Sequence, residues 1–266
     1  MKKVFIYLII ITLSALNCKR AEDHGPPADG KILILMYHRI SQGEPVNLYE
    51  RSAEDFESDL KFLENNDIRV ISFDDLEGYF LTGKMPPYNC AILTFDDGDF
   101  SWYTLTRPLL LEYKMKATFF LWVYMIGRDS FLSWQEIEHM ANYTLEGGIR
   151  PFTFGSHTFS HPFLLDRRNS FATQEEYILF LDYELGVSNE IIKSHVPVEV
   201  RALALPFGDG YGDPVIAAAA ERNGYRFVRT SKYGAITDPA TDLFALPSLP
   251  MLNDTPQELI GDYLGL

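Results

Sequence analysis

Residues 90–122 read CAILTFDDGDFSWYTLTRPLLLEYKMKATFFLW. An apolar run from Cys90 to Phe95 ends abruptly in Asp96, Asp97 and Gly98. A helix-like segment follows from Tyr103 to Tyr113, and a second apolar run opens at Lys116. Strand, helix, strand at this spacing describes a unit whose two strands run parallel. The sequence must also account for two like charges side by side at the end of a buried strand.

The same alternation runs along the chain. Strand-like runs are KILILMY, IRVISF, AILTF, KATFFLWV, PFTFG, VRALALPF and YRFVR, beginning at residues 31, 68, 91, 116, 151, 200 and 225. Amphipathic stretches lie between them at Ser52 to Glu64, Tyr103 to Tyr113, Trp134 to Ala141 and Thr173 to Lys193. Asp213 before Pro214 is a cap and first turn, and Asn223-Gly224 closes that helix. Repeated β then α implies a parallel sheet with helices outside, and seven runs suit a closed barrel better than an open sheet. With 266 residues, 47% of them hydrophobic, one α/β barrel domain has ample core.

The first seventeen residues read as an export signal: Lys2 and Lys3, then the apolar stretch Val4 to Leu13, which is too short for a permanent membrane span. The tetrapeptide ALNC at 15–18 reads as a loose lipobox, with Cys18 as the lipidated first residue of the mature protein; simple cleavage near Ala15 is the other reading. Either predicts export, and the first predicts a membrane contact made only through the lipid anchor. Residues 18–29, CKRAEDHGPPAD, read as a polar tether, so the folded domain is expected over 30–266. Without Cys18, Cys90 has no disulfide partner. The net charge of −14 disfavours nucleic-acid binding. Oligomeric state leaves no signature in the sequence.

In a parallel barrel, chemistry gathers where strands end. That rule selects His38 after the first strand, Asp96 and Asp97, His157 after PFTFGS, and the PFG at 206–208, with Arg201 opening that last strand. His157 and His161 stand four apart in SHTFSH, a separation that puts two imidazoles on one side of a helical turn. Two histidines and a carboxylate leave open positions on a divalent ion, as hydrolysis requires. Asp97 as a ligand has its charge neutralised, and Asp96 stays free to take a proton. Taken alone, DDG also fits a turn in which aspartates cap a helix beginning near Phe100.

Together, TFDDG at 94–98, SHTFSH at 156–161 and Arg201 followed by ALALPFG resemble the first three motifs of the polysaccharide deacetylase family, the NodB-homology domain of carbohydrate esterase family 4. LMYHRI at 35–40 and FLSWQEIEHMA at 131–141 are similar to the opening strand and the pre-motif helix of its exported members. The likeness covers roughly residues 31–250 and implies a distorted (β/α) barrel of seven strands. It implies Asp96 as catalytic base, Asp97, His157 and His161 as ligands of one zinc or cobalt ion, and Arg201 as the cation holding the base. Phe207 falls where the family has a tyrosine whose backbone amide helps form the oxyanion hole. The implied substrate is an N-acetylglucosamine polymer: peptidoglycan, poly-N-acetylglucosamine or a chitin-like chain.

Two departures stand out. The family commonly supplies its general acid as a histidine near the C-terminus, and residues 244–257 contain none. Ser248 sits where exported relatives often carry arginine. His38 is the nominee for the acid, and Trp102, just past the DDG turn, is the nominee for stacking on a sugar. An O-acetyl esterase on a polysaccharide and a catalytically impaired glycan-binding lipoprotein remain alternative readings.

Overall fold

The computed structural model describes residues 29–266; the expected export signal, Cys18 and the expected tether up to residue 28 lie outside the described residues. Ten strands and eight α-helices are arranged as follows. The strands are β1 (Ile32–Tyr37), the short β2 (Arg39–Ser41) and β3 (Glu50–Ser52), β4 (Arg69–Val70), β5 (Cys90–Asp97), β6 (Ala117–Leu121), β7 (Phe152–Ser156), β8 (Ala202–Ala204), β9 (Phe227–Tyr233) and β10 (Leu246–Pro250). The helices are α1 (Ala53–Asn65), α2 (Phe73–Thr82), α3 (Arg107–Glu112), α4 (Trp134–Ala141), α5 (Gln174–Asp182), α6 (Ser188–Lys193), α7 (Pro214–Arg222) and α8 (Glu258–Leu264).

β1, β10, β9, β8, β7, β6 and β5 are hydrogen-bonded in that order, every pair parallel, and β5 pairs back onto β1. The sheet is therefore a closed seven-stranded barrel, as expected. Its membership differs from the sequence reading. IRVISF contributes only the two residues of β4, added beside β5, because Ser72 ends the run as the N-cap of α2 in a capping box with Asp75. The seventh staves of the barrel is β10, whose Pro247 and Pro250 hide it from a strand pattern.

Alternation along the strands sorts two apolar layers. Leu33 and Leu35, Leu93, Phe119, Leu203 and Val228 face the helices, packing with Phe56, Leu60, Ile137 and Leu185. Ile32 and Ile34, Ile92, Phe120, Ala202, Ala204 and Phe227 fill the barrel, and Phe73 and Leu76 of α2 join them. The inward parity continues upward: Ile92, Thr94 and Asp96 on β5, Phe227 and Arg229 on β9. Polar chemistry thus begins where the apolar filling stops, at the C-terminal ends of the strands.

Trp102 departs from expectation. Its side chain is fully buried among Phe95 and Phe119, and its Nε1 donates to the His38 carbonyl at 2.7 Å. It is a core residue pinned to the end of β1 and has no face left for a sugar. Trp102→Ala removes a large buried ring and should cost about 3–5 kcal/mol. Chemical denaturation of the variant checks this, and a loss below about 1 kcal/mol would return Trp102 to the surface.

Candidate active site

Four of the seven non-glycine residues with positive φ among the described residues converge on the barrel mouth: Asp97 (φ 90°), Thr158 (67°), His161 (59°) and Phe207 (58°). Such conformations cost of order 1–3 kcal/mol each and persist where the surroundings over-determine them. A continued pleat would send Asp97 to the face opposite Asp96. The backbone instead leaves the extended form at Asp97 and carries its carboxylate over the barrel mouth, and Gly98 (φ 106°) completes the turn. The helix-capping reading of DDG passes to the next residue, since Asp99 Oδ1 accepts from Ser101 N at 2.8 Å.

Asp97, His157 and His161 form one cluster of potential metal ligands. His157 Nε2 and His161 Nε2 lie 3.1 Å apart, and each is 3.5 Å from Asp97 Oδ1. Ligands about 2.1 Å from a tetrahedral ion are separated by about 3.4 Å, so these three atoms trace one face of such a tetrahedron. His157 Nδ1 donates to the Ala204 carbonyl at 2.9 Å, which fixes its tautomer and turns the Nε2 lone pair to the cluster. The indole of Trp122 stacks on His161 at 4.6 Å. The residues present therefore fit a divalent ion.

The two histidines do not meet as neighbours on a helical turn. Residues 157–161 form a non-helical loop, because Thr158 and His161 adopt left-handed backbone. Ser156 Oγ accepts from Thr158 N, and Thr158 Oγ1 accepts from His161 N, both at 3.0 Å, folding the loop back on itself.

Asp96, 2% exposed, lies 4.0 Å from His157 Nε2. The cation that holds it is Arg229, whose Nη2 donates to both carboxylate oxygens. Arg201 does not fill that role. It precedes β8 at the opposite end of the barrel, donating to Asp74 at 2.6 Å and Glu77 at 2.5 Å of α2. A residue that opens a parallel strand cannot reach the rim where its neighbours end. Arg229 was missed, although it stands two residues from Phe227 in YRFVR and a buried Phe227 marks their common face.

The electrostatics divide the pair that began the problem. Burial pushes Asp96 up, but Arg229 together with His157 and His38 outweighs it and holds the carboxyl below its usual value. Burial and the adjacent Asp96 charge push Asp97 up to about 7. Burial lowers His157 to about 3 and His161 to about 4, leaving both neutral and able to donate lone pairs.

A cavity of about 370 Å³ opens over these groups, walled by Met36, His38, Tyr49, Phe207, Tyr233 and Leu252. His38 reaches it as its position suggested; burial lowers its pKa, and its Nδ1 is buried with no hydrogen-bond partner among the described residues. Phe207, about half exposed, stacks on the equally exposed Phe163 at 3.9 Å and sets its ring edge against His161. Ser248 is buried and donates to the Thr230 carbonyl.

A seven-stranded parallel barrel with a buried, cation-paired aspartate beside an Asp-His-His cluster suits metal-assisted hydrolysis. A polysaccharide deacetylase family profile matches residues 83–228, and the chain belongs to that family. A putative polysaccharide deacetylase of Bacillus subtilis is 28% identical over 205 residues, 77% of this chain and 66% of that one, so the chain spans just under two thirds of that relative. A poly-β-1,6-N-acetyl-D-glucosamine N-deacetylase of Staphylococcus epidermidis is 27% identical over 252 residues, 88% of this chain and 83% of that one. The fold matches the Streptococcus pyogenes deacetylase PplD with a TM-score of 0.74 at 23% identity, over 89% of this chain and 99% of that one. IcaB from Ammonifex degensii matches at 0.72 and 23% identity, over 90% and 98%. The chain thus joins a polysaccharide deacetylase profile to the barrel that these deacetylase structures share.

Two outcomes test this geometry. Arg229→Met strands a buried carboxylate, so stability should fall by about 3–5 kcal/mol and the Asp96 pKa should rise well above the carboxylate range, whereas Arg201→Gln should leave that pKa in place. Carbon-detected NMR titration of Asp96 in the three proteins reads both; a shift in Arg201→Gln would contradict the assignment. Separately, only Asp97 must shed a proton to ligate near neutrality. Zinc affinity should therefore fall about tenfold per pH unit below about 7, a one-proton slope that steepens only toward pH 4. Chelator competition between pH 8 and 5 measures it, and a two- or three-proton slope would show that the histidines also titrate there.

Proposed function

We propose that this protein removes N-acetyl groups from an N-acetylglucosamine polymer, with the β-1,6-linked chain as first candidate and peptidoglycan or chitin-like chains as the others. The observation that carries the reading is the Asp97–His157–His161 triangle beside a charged, buried Asp96 at the floor of an open cavity. The staphylococcal relative's named substrate supports the choice of polymer.

Asp97, His157 and His161 would hold one zinc or cobalt ion, which supplies a Lewis acid for the acetamide carbonyl and lowers the pKa of attacking water. Asp96 acts as the general base: Arg229 keeps it ionised, so it can accept the water proton near neutral pH. The amide of Phe207 is placed in the oxyanion role, where Phe in place of Tyr changes nothing that the backbone does. His38 is the group assigned to protonate the departing sugar amine. Burial lowers its pKa and the nearby Asp96 charge opposes that shift, so His38 can relay to the amine the proton that Asp96 takes from water. Exposed aromatic rings of Phe207, Phe163, Tyr49 and Tyr233 around the mouth suit the apolar faces of sugar rings, a role that Trp102 cannot take.

The reading includes export. Lys2, Lys3 and the apolar stretch 4–13 support a signal, and ALNC at 15–18 supports lipidation at Cys18. Among the described residues no helix is long and apolar enough to cross a membrane.

Acetate release from N-acetylglucosamine oligomers by residues 30–266, with and without zinc or cobalt, tests the proposal. The parent should turn over only with metal; Asp96→Asn and His157→Ala should each lose at least about a hundredfold, as removal of a general base or a ligand does. Acetate release from O-acetylated xylan but not from the amide substrates would move the assignment to an esterase. Metal binding without turnover of any acetylated glycan would move it to a binding protein.

A further inference from the structure

The loop that carries both histidines is not held by the barrel alone. Beneath it runs a continuous helix from α5 through α6, interrupted at Tyr183–Val187 by one π-helical turn. Such turns are rare insertions that recur at functional sites, because they move a side chain off the α-helical register. This one presents Glu184.

Glu184 is only 3% exposed, and it is committed entirely to the loop. Its Oε2 accepts from Ser160 N at 2.8 Å, its Oε1 accepts from Ser160 Oγ at 2.6 Å, and its own carbonyl accepts from Phe159 N at 3.0 Å. One residue thus satisfies three donors between His157 and His161. One turn further on, Ser188 Oγ meets Ser156 Oγ at 2.7 Å, and that hydroxyl caps Thr158 N. Glu184 and Ser188 are four apart and anchor the loop at two points.

We propose that Glu184 is a positioning residue for the metal centre: it sets the His157–His161 separation by clamping the left-handed loop between them. This rests on the metal-site reading but not on the identity of the glycan. The loop contains two left-handed residues, Thr158 and His161, that relax to ordinary backbone unless held. A carboxylate suits the clamp because it is acceptor-only, and both Ser160 groups are donors. Glutamine offers one acceptor oxygen and turns an NH2 group toward the other site; alanine leaves all the side-chain contacts unmade. The sequence signal is a lone Glu in an apolar helical stretch, YILFLDYELGV, which reads as an ordinary exposed position without the fold.

The test is zinc affinity by chelator competition, with no acetylated substrate present, together with the visible spectrum of the cobalt-loaded protein. The variants are Glu184→Gln, Glu184→Ala and Ser160→Ala. Removing groups that orient ligands typically lowers metal affinity 10–100-fold. Glu184→Ala is expected in that range, with a weakened or shifted cobalt spectrum, and Glu184→Gln and Ser160→Ala fall between it and the parent. Should Glu184→Ala fail to fold, Ser160→Ala carries the test, since it deletes one clamp contact at an exposed position. Unchanged affinity and spectrum in folded variants, even with a lowered melting temperature, would reduce Glu184 to a structural role and overturn the proposal. Absence of zinc binding by the parent would overturn it too. Tight binding by the parent without any acetate release would remove the deacetylase reading and leave this inference standing.

Discussion

Asp96 holds a negative charge in the mouth of a barrel whose filling is otherwise apolar, and a charge so buried persists only when it is paired and hydrogen-bonded. Arg229 meets that requirement from an inward position two residues above Phe227, on a strand three places removed in the barrel order. Closure of the sheet is what brings them together: in an open sheet, β5 and β9 would sit at a distance with their inward faces unopposed. The ion pair therefore depends on the barrel, and the base depends on the ion pair. A carboxylate without Arg229 would take up a proton on burial and lose the ability to accept one from water.

The second constraint is the strain around the mouth. Asp97, Thr158, His161 and Phe207 all carry left-handed backbone, and none is glycine. Each redirects a group that regular structure would aim elsewhere: Asp97 off the outward pleat, the histidines off a helical path, Phe207 over the rim. The strain is tolerated because the loops are anchored below, by Glu184 and Ser188 under the histidines and by Ala204 against the His157 ring. Rigid helices and strands supply the restoring force, and the loops supply only the direction.

Much of this was legible in the sequence because it was local. Asp213 caps its helix as read, Ser52, Ser133 and Thr173 cap helices whose amphipathic stretches the sequence marks, and the ordered motifs nominated Asp96, Asp97, His157 and His161. What escaped was set by tertiary pairing. Arg201 precedes β8 and Arg229 lies within β9, in runs of similar composition, and only the direction and extent of the parallel strands tell which one reaches the rim. β10 escaped because Pro247 and Pro250 withhold two backbone donors, and the register shift between Leu246 and Ser248 accommodates the first of them. Trp102 reads as exposed by its place after a turn, and the bend at Asp99 folds it inward instead.

The two adjacent aspartates show why a like-charged pair is an asset at this position. Were they equivalent, repulsion would raise the second ionisation of the pair and leave one proton shared between them, with neither a dedicated base. The pleat makes them inequivalent: Asp96 points inward to a cation, while Asp97 is turned by its own backbone toward two neutral imidazoles. Repulsion then falls on one partner alone, which titrates near 7 and so sits ready to exchange a proton for a metal ion. A divalent ion in the triangle would over-compensate the charge that Arg229 leaves on the Asp97 side, giving the mouth of the barrel an excess of positive charge that favours a developing oxyanion. The doublet works because one residue of strand geometry separates the group that binds from the group that reacts.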